Sequence, residues 1–259
     1  MLTLSQRNVF IPFLCLLMAL SWLTLWVWGQ SPYGRFLSHE GLRLSEVRAG
    51  FGALLLLGGW TVMLVAMMLP TSLPLIGIFY RMTRQRADRA LLVWLLLAGY
   101  LLVWTLFGLV AVLGDSVLHE TVEGNVWLET HAWFIGAGIF MLAGIYQFTP
   151  LKYYCLDKCR TPLSFVMTHW QGRRDRWHAF RLGLRHGLFC LGCCWSLMLL
   201  MFAVGMSNLG WMFLLGAVMA IEKNVPWGRR FSAPLGGLLL CCGLAIVLQA
   251  TLMTFGDTP

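Results

Sequence analysis

The chain of 259 residues is 59% hydrophobic and only 12% charged. A soluble domain carries about twice that share of charged residues, so the composition excludes a soluble protein and predicts one that crosses a membrane several times. The net charge of +8 does not predict nucleic-acid binding, because the basic residues lie between apolar runs, as they do in the cytoplasmic loops of membrane proteins.

Seven apolar runs are candidate transmembrane helices, since about 20 apolar residues span the hydrocarbon core and a helix satisfies its own backbone there. Pro70 and Pro74 interrupt the second run, and the sixth is short for a full crossing. The predicted fold is all-α, a polytopic transmembrane helix bundle of about seven spans that forms a single domain, 1–259. In chain order the runs are 8–29, 50–79, 91–114, 131–151, 183–206, 210–222 and 232–255.

The distribution of basic residues predicts the orientation of the bundle. If the chain crosses seven times, 16 of its 19 Lys and Arg residues fall on one side, and only Arg35, Arg43 and Arg48 fall on the other. The positive-inside rule then places the basic side and the N-terminus in the cytoplasm. The longest predicted loop, 152–182, lies on this cytoplasmic side and carries part of a cysteine-rich site.

One face of the fifth predicted span is rich in sulfur. At 100° per residue, Cys190, Cys193 and Cys194 lie on the same side of a helix as His186. Met201 continues this stripe, and Met198 lies at its edge. Cysteine is also a common buried apolar residue, but three thiols on one face exceed what packing needs, so the pattern indicates a binding face.

Further sulfur donors lie on other spans. Cys155 and Cys159 are four residues apart just after the fourth span, so both thiols point the same way if the helix continues through them. The predicted orientation puts them near the cytoplasmic face, at the level of Cys190. Met63 and Met67 have the same spacing in the second span, although methionine is also a common filler of irregular gaps in a core.

Glu222 ends the sixth apolar run. An ionisable side chain inside a membrane segment is costly and marks either a functional site or an ion pair. Glu222 is therefore either a ligand or the partner of a basic residue at the helix end, such as Lys223.

The donor types predict the metal. Thiolates and thioethers are soft ligands that favour Cu(I) over Mg²⁺ and Ca²⁺. Zinc is the second choice, because it prefers Cys, His and carboxylate ligands to thioethers. We expect a protein that handles, delivers or transports Cu(I), with the lipid bilayer, the metal ion and a metal-donating or metal-accepting protein as partners. The candidate ligands are Cys155, Cys159, His186, Cys190, Cys193, Cys194, Met198, Met201, Met67 and Glu222.

Two other functions suit the same cysteines. The adjacent Cys193 and Cys194, with the pair Cys155 and Cys159, fit a membrane thiol–disulfide oxidoreductase, although adjacent cysteines form a strained disulfide. A non-catalytic accessory subunit with a structural metal is the other alternative. The sequence contains no P-loop, HExxH or GxSxG motif, which favours a function other than catalysis.

Four motifs together resemble a known bacterial family. They are WTVMLVAMMLPTSLP (60–74), GIYQFTPLKYYCLDKCRTP (144–162), GLFCLGCCWSLMLLMFAVGMSNLGWM (187–212) and the dipeptide EK (222–223). They resemble the predicted metal-binding integral membrane proteins catalogued as domain-of-unknown-function family 2182. The resemblance covers about 60–230 and implies a metal-binding, multi-pass protein of the bacterial cytoplasmic (inner) membrane.

Overall fold

The computed structural model of the chain describes residues 5–31, 51–170, 175–204 and 208–256. Arg35, Arg43 and Arg48, on which the predicted orientation partly depends, lie outside these residues. The described residues form ten α-helices and no strand, so the predicted all-α class is confirmed. The helices are α1 (Ser5–Gly29), α2 (Phe51–Met82), α3 (Arg89–Glu123), α4 (Val126–Thr130), α5 (Trp133–Tyr146), α6 (Pro150–Arg160), α7 (Pro162–His169), α8 (Asp175–Val204), α9 (Leu209–Asn224) and α10 (Gly228–Gly256).

Five of the described helices, α1, α2, α3, α8 and α10, are long and apolar enough to cross a membrane. A sixth candidate is the pair α5 and α6, which together meet the same requirement but bend by 65°. The predicted span 210–222 corresponds to α9, whose 16 residues extend only about 24 Å, less than the hydrocarbon thickness of about 30 Å. The described helices thus form a polytopic bundle with up to six candidate spans, one fewer than the predicted seven.

The bend between α5 and α6 follows from a Thr–Pro pair. Proline at the first position of a helix has no N–H to leave unpaired, and it holds the preceding residue in an extended conformation. Thr149 is extended, with ψ of 142°, and its side chain accepts a hydrogen bond from the backbone N–H of Lys152. The chain therefore stops one helix and starts another here. Much of the predicted loop 152–182 is consequently helical, in α6, α7 and the first turns of α8.

Helix α8 lies at the centre of the bundle and packs against α3, α5, α6 and α9. Glycine allows the closest of these contacts, because a Cβ atom at Gly183 would fall on the backbone of α3. Gly144 has the same role where α5 meets α10, as expected of glycines in membrane helices. Gly136 and Gly138 differ, because Cβ atoms added there would meet open space among the described residues.

Burial in this bundle is inverted relative to a soluble protein. Large apolar side chains such as Trp94, Leu106 and Leu252 are exposed on its outside, whereas Lys152 and Glu222 are fully buried. A lipid-facing exterior with paired ionisable groups inside is typical of membrane helices. The buried cysteines and most of the buried methionines lie in one core, where α2, α6, α8 and α9 meet.

Candidate metal centre

Thiols from two helices meet beside the middle of α8. The Sγ atom of Cys193 lies 3.5 Å from that of Cys194 on the same helix and 4.0 Å from that of Cys159 on α6. Thiols of two separate helices, α6 and α8, therefore lie close together. Cys193 and Cys194 are completely buried, whereas Cys159 is half-buried. We call Cys159, Cys193 and Cys194 the thiol cluster.

Cys155 lies one helical turn before Cys159 and faces the backbone of α8. A Cβ atom added to Gly192 would lie 2.6 Å from the Sγ atom of Cys155, so only glycine permits this approach of the two helices. The hydroxyl of Tyr146 donates a hydrogen bond to the carbonyl oxygen of Gly192 and fixes the same contact from α5. Gly192 therefore sets how closely α6, with both its thiols, approaches α8.

Cys190 has polar partners instead of other thiols. The Nζ atom of Lys223, on α9, lies 2.9 Å from the Sγ atom of Cys190, and the Tyr100 hydroxyl lies 3.1 Å from the same atom. Lys223 also donates to the Thr71 hydroxyl at 3.3 Å. The sequence suggested Lys223 only as a partner for Glu222. In the structure, its ammonium group instead contacts the Cys190 thiol.

His186, a predicted ligand, is buried one turn before Cys190. Its Nε2 atom lies 3.3 Å from the Ser72 hydroxyl, and its ring stacks on Tyr100 with centroids 5.4 Å apart. The Nδ1 atom has no hydrogen-bond partner among the described residues. The structure thus places His186 beside the pocket of Cys190 and Tyr100, with Ser72 as its bonded neighbour in place of a sulfur atom.

Glu222, the remaining polar candidate, belongs to a buried ion pair. The Nζ atom of Lys152 lies 2.8 and 2.9 Å from its two carboxylate oxygens, and the Ser232 hydroxyl donates to one of them at 2.6 Å. Lys152 also donates to the Gln147 side chain. The sequence predicts that Glu222 is either a ligand or part of an ion pair. The structure shows the ion pair, with Lys152 as the partner instead of Lys223.

Sequence reasoning missed Lys152, although one signal was available. A carboxylate inside an apolar run needs a positive partner, and Lys152 stands inside the motif that also holds Cys155. Arg160, at the end of the same helix, donates to the backbone carbonyls of Glu222 and Pro226. These bonds cap the end of α9 and hold Lys223 next to Cys190.

The predicted methionine ligands lie in the same core as the thiols. Met67, Met198 and Met201 are 2% exposed or less and belong to the hydrophobic cluster that contains the cysteines of α6 and α8. Met67 also packs against Gly216 of α9. The thioethers therefore share one buried core with the thiol cluster.

A family comparison identifies the chain. The model of the family PpoB2, described as a copper chaperone, matches residues 57–246. The chain belongs to the PpoB2 copper chaperones. No curated protein and no solved structure matches it. The matched residues include α6, α8 and the buried lysines, and the match confirms the expected copper-handling role.

The sulfur donors of this PpoB2 chain do not form a conventional metal cage. Among the described residues, no group of three or more His, Cys, Asp or Glu side chains is arranged to hold a metal ion. In the thiol cluster, the Cys193 sulfur lies 3.5 Å from that of Cys194 and 4.0 Å from that of Cys159. Sulfur atoms are soft donors, which agrees with the copper-handling role of the family.

Proposed function

We propose that this protein binds Cu(I) inside the bacterial cytoplasmic membrane through Cys159, Cys193 and Cys194, and exchanges the ion with a partner protein. The observation that carries the proposal is the meeting of Cys159 with Cys193 and Cys194 across two helices, at 4.0 and 3.5 Å. The N-terminus lies in the cytoplasm in this proposal, so the cluster opens towards the cytoplasmic leaflet.

The sulfur–sulfur distances suit a shared ion. Two thiolates bonded to one metal at about 2.3 Å, the length of a zinc–thiolate bond, lie no more than about 4.6 Å apart. Both distances from Cys193 fall within this limit, so one Cu(I) ion can bridge the thiols after small side-chain rotations. Met198 and Met201 add thioethers to the same buried core, which favours Cu(I) over zinc.

The buried lysine offsets part of the charge of such a complex. A Cu(I) ion held by three thiolates carries two net negative charges, and a charge without a partner is costly in a low-dielectric interior. The ammonium group of Lys223 lies 2.9 Å from Cys190, beside the thiol cluster. Glu222 and Lys152 neutralise one another, so Lys223 remains to compensate the copper–thiolate complex.

Cys159 gives the cluster an exchange point. It is half-buried, whereas Cys193 and Cys194 have no exposed surface. A thiolate of a partner protein therefore meets Cys159 first, and the ion passes between the two sulfur atoms by ligand replacement. All eight cysteines are free thiols in the structure, as metal exchange requires.

Copper loading under anaerobic conditions tests the proposal. Protein purified in detergent without chelators is incubated with Cu(I), desalted and analysed for copper and protein. We expect about one copper per chain, lost in the double variant Cys193→Ser/Cys194→Ser. The matched control is Cys241→Ser/Cys242→Ser, which removes another adjacent pair outside the cluster and retains the metal. Wild-type protein that takes up no Cu(I), or equal loss in both double variants, refutes the proposal.

A further inference from the structure

A deep apolar groove runs along the outside of the bundle between α1, α2 and α3. Its volume is about 740 Å³, and its walls are almost entirely aliphatic and aromatic. The side chains of Phe13 and Trp94 on its rim are 45% and 57% exposed, so the groove opens sideways, towards lipid. Water does not fill such a space, because the walls offer it few hydrogen-bond partners.

One end of the groove is basic. Tyr80 is close to the end of α2 and Arg89 begins α3, and the Arg89 guanidinium carbon lies 4.3 Å from the centroid of the Tyr80 ring. Leu101, which also lines the groove, follows Arg89 by twelve residues, about 18 Å along the helix axis. Half of a bilayer's hydrocarbon core is about 15 Å thick, so the groove has the length of one lipid leaflet.

The charge of Arg89 is available to a ligand. Asp88, its neighbour, is bonded to Arg86 through both carboxylate oxygens, at 2.9 and 3.1 Å. Within the described part of the chain, Arg89 contacts the Tyr80 ring and pairs with no carboxylate. The connecting segment 81–89 carries four arginines and one aspartate, so it attracts a molecule with a net negative charge.

We infer that the groove binds one acyl chain of an anionic phospholipid, with the lipid phosphate on Arg89. The volume lies within the range of about 300–1,000 Å³ that is typical of small-molecule sites. An apolar channel one leaflet long with a guanidinium at its mouth matches an acyl chain below an anionic headgroup. A choline headgroup brings a positive charge next to the four arginines and binds less well. The inference does not depend on the copper site.

Lipid retention measured by native mass spectrometry tests the inference. The detergent-solubilised full chain is incubated with phosphatidylglycerol or phosphatidylcholine of identical acyl chains. We expect one phosphatidylglycerol per chain, retained about tenfold better than phosphatidylcholine, the size of one charge-assisted hydrogen bond. Arg89→Gln lowers the retention of phosphatidylglycerol to the level of phosphatidylcholine. The control Arg84→Gln removes the same charge from the same segment, outside the groove lining, and retains the preference.

A second variant tests the acyl-chain part of the site. Ala98 lines the groove, and Ala98→Trp fills it, so both lipids are lost while copper loading stays at the wild-type level. Equal retention of the two lipids by wild-type protein overturns the inference. An equal loss of preference in Arg84→Gln and Arg89→Gln, or full retention by a folded Ala98→Trp variant, overturns it as well.

Discussion

The ammonium group of Lys223 lies 2.9 Å from the thiol of Cys190, although neither side chain is more than 5% exposed. No carboxylate of the described residues forms an ion pair with Lys223, and the adjacent Glu222 is occupied by Lys152. A buried positive charge persists where a negative group stabilises it. In the proposed function the copper–thiolate complex is that negative group, so the contact places the charge of Lys223 beside the metal.

Replacing Lys223 weakens Cu(I) binding. Lys223→Met keeps the length of the side chain and removes the charge, so the copper–thiolate complex is left uncompensated. Losing one partner of a buried charge pair costs about 3–5 kcal/mol. Even half of this cost, taken from the free energy of Cu(I) binding, lowers the affinity more than tenfold. Competition with a chromophoric Cu(I) chelator measures the change. Lys158→Met, at an exposed position on α6, is the control, and equal affinities of the two variants would contradict the role of Lys223.

Glu222→Gln is expected to destabilise the fold without removing the metal. The substitution leaves the buried Lys152 ammonium without its carboxylate, at a cost of about 3–5 kcal/mol, and lowers the unfolding temperature in detergent. The control Asp157→Asn breaks the exposed pair with Arg229, worth about 1 kcal/mol or less. Copper per folded chain stays constant in both variants. Copper lost from Glu222→Gln at an unchanged unfolding temperature would show that Glu222 is a ligand.

Gly192→Ala separates the two helices of the thiol cluster. The new methyl group would lie 2.6 Å from the Cys155 sulfur, so α6 moves outward and carries Cys159 away from Cys193. We expect Cu(I) affinity to fall at least about tenfold, because one of the bridging thiols is lost. Chelator competition measures it again. Gly216→Ala, whose methyl group lies at an ordinary 3.6 Å from Met67, should bind copper as the wild type does.

Alkylation distinguishes the exchange thiol from the buried ones. Cys159 is half-buried and reacts with a small maleimide, whereas Cys193 and Cys194 are buried and react far more slowly. Bound Cu(I) protects Cys159, because the metal occupies its sulfur atom. Peptide mass spectrometry with and without Cu(I) measures the three sites, and the exposed Cys241 serves as an internal reference that copper does not change. Faster modification of Cys193 than of Cys159 would contradict the proposed route of exchange.

Helical spacing alone predicts much of the candidate site. Side chains three or four residues apart share a face of a helix, so the cysteines of α8 and the pair on α6 follow directly from their positions in the chain. The apolar runs likewise predict the long helices. These features are local, and the sequence carries them without knowledge of the tertiary fold.

The partners of the buried polar residues could not be predicted from the sequence. Lys152 and Glu222 are separated by 70 residues, and only the packing of α6 against α9 brings them together. The contact of Lys223 with Cys190 depends on where the short α9 ends, which Arg160 fixes through backbone carbonyls. Pro150 signals a break at Thr149, but nothing local in the sequence specifies its 65° angle.

Copper K-edge X-ray absorption of the Cu(I)-loaded protein tests the central claim most directly, because it identifies the atoms bonded to the metal. We expect the first coordination shell of the copper to consist of sulfur alone. This shell disappears together with the bound copper in Cys159→Ser/Cys193→Ser and persists in Cys241→Ser/Cys242→Ser. A first shell of nitrogen or oxygen, or an unchanged sulfur shell in the Cys159→Ser/Cys193→Ser protein, would contradict it.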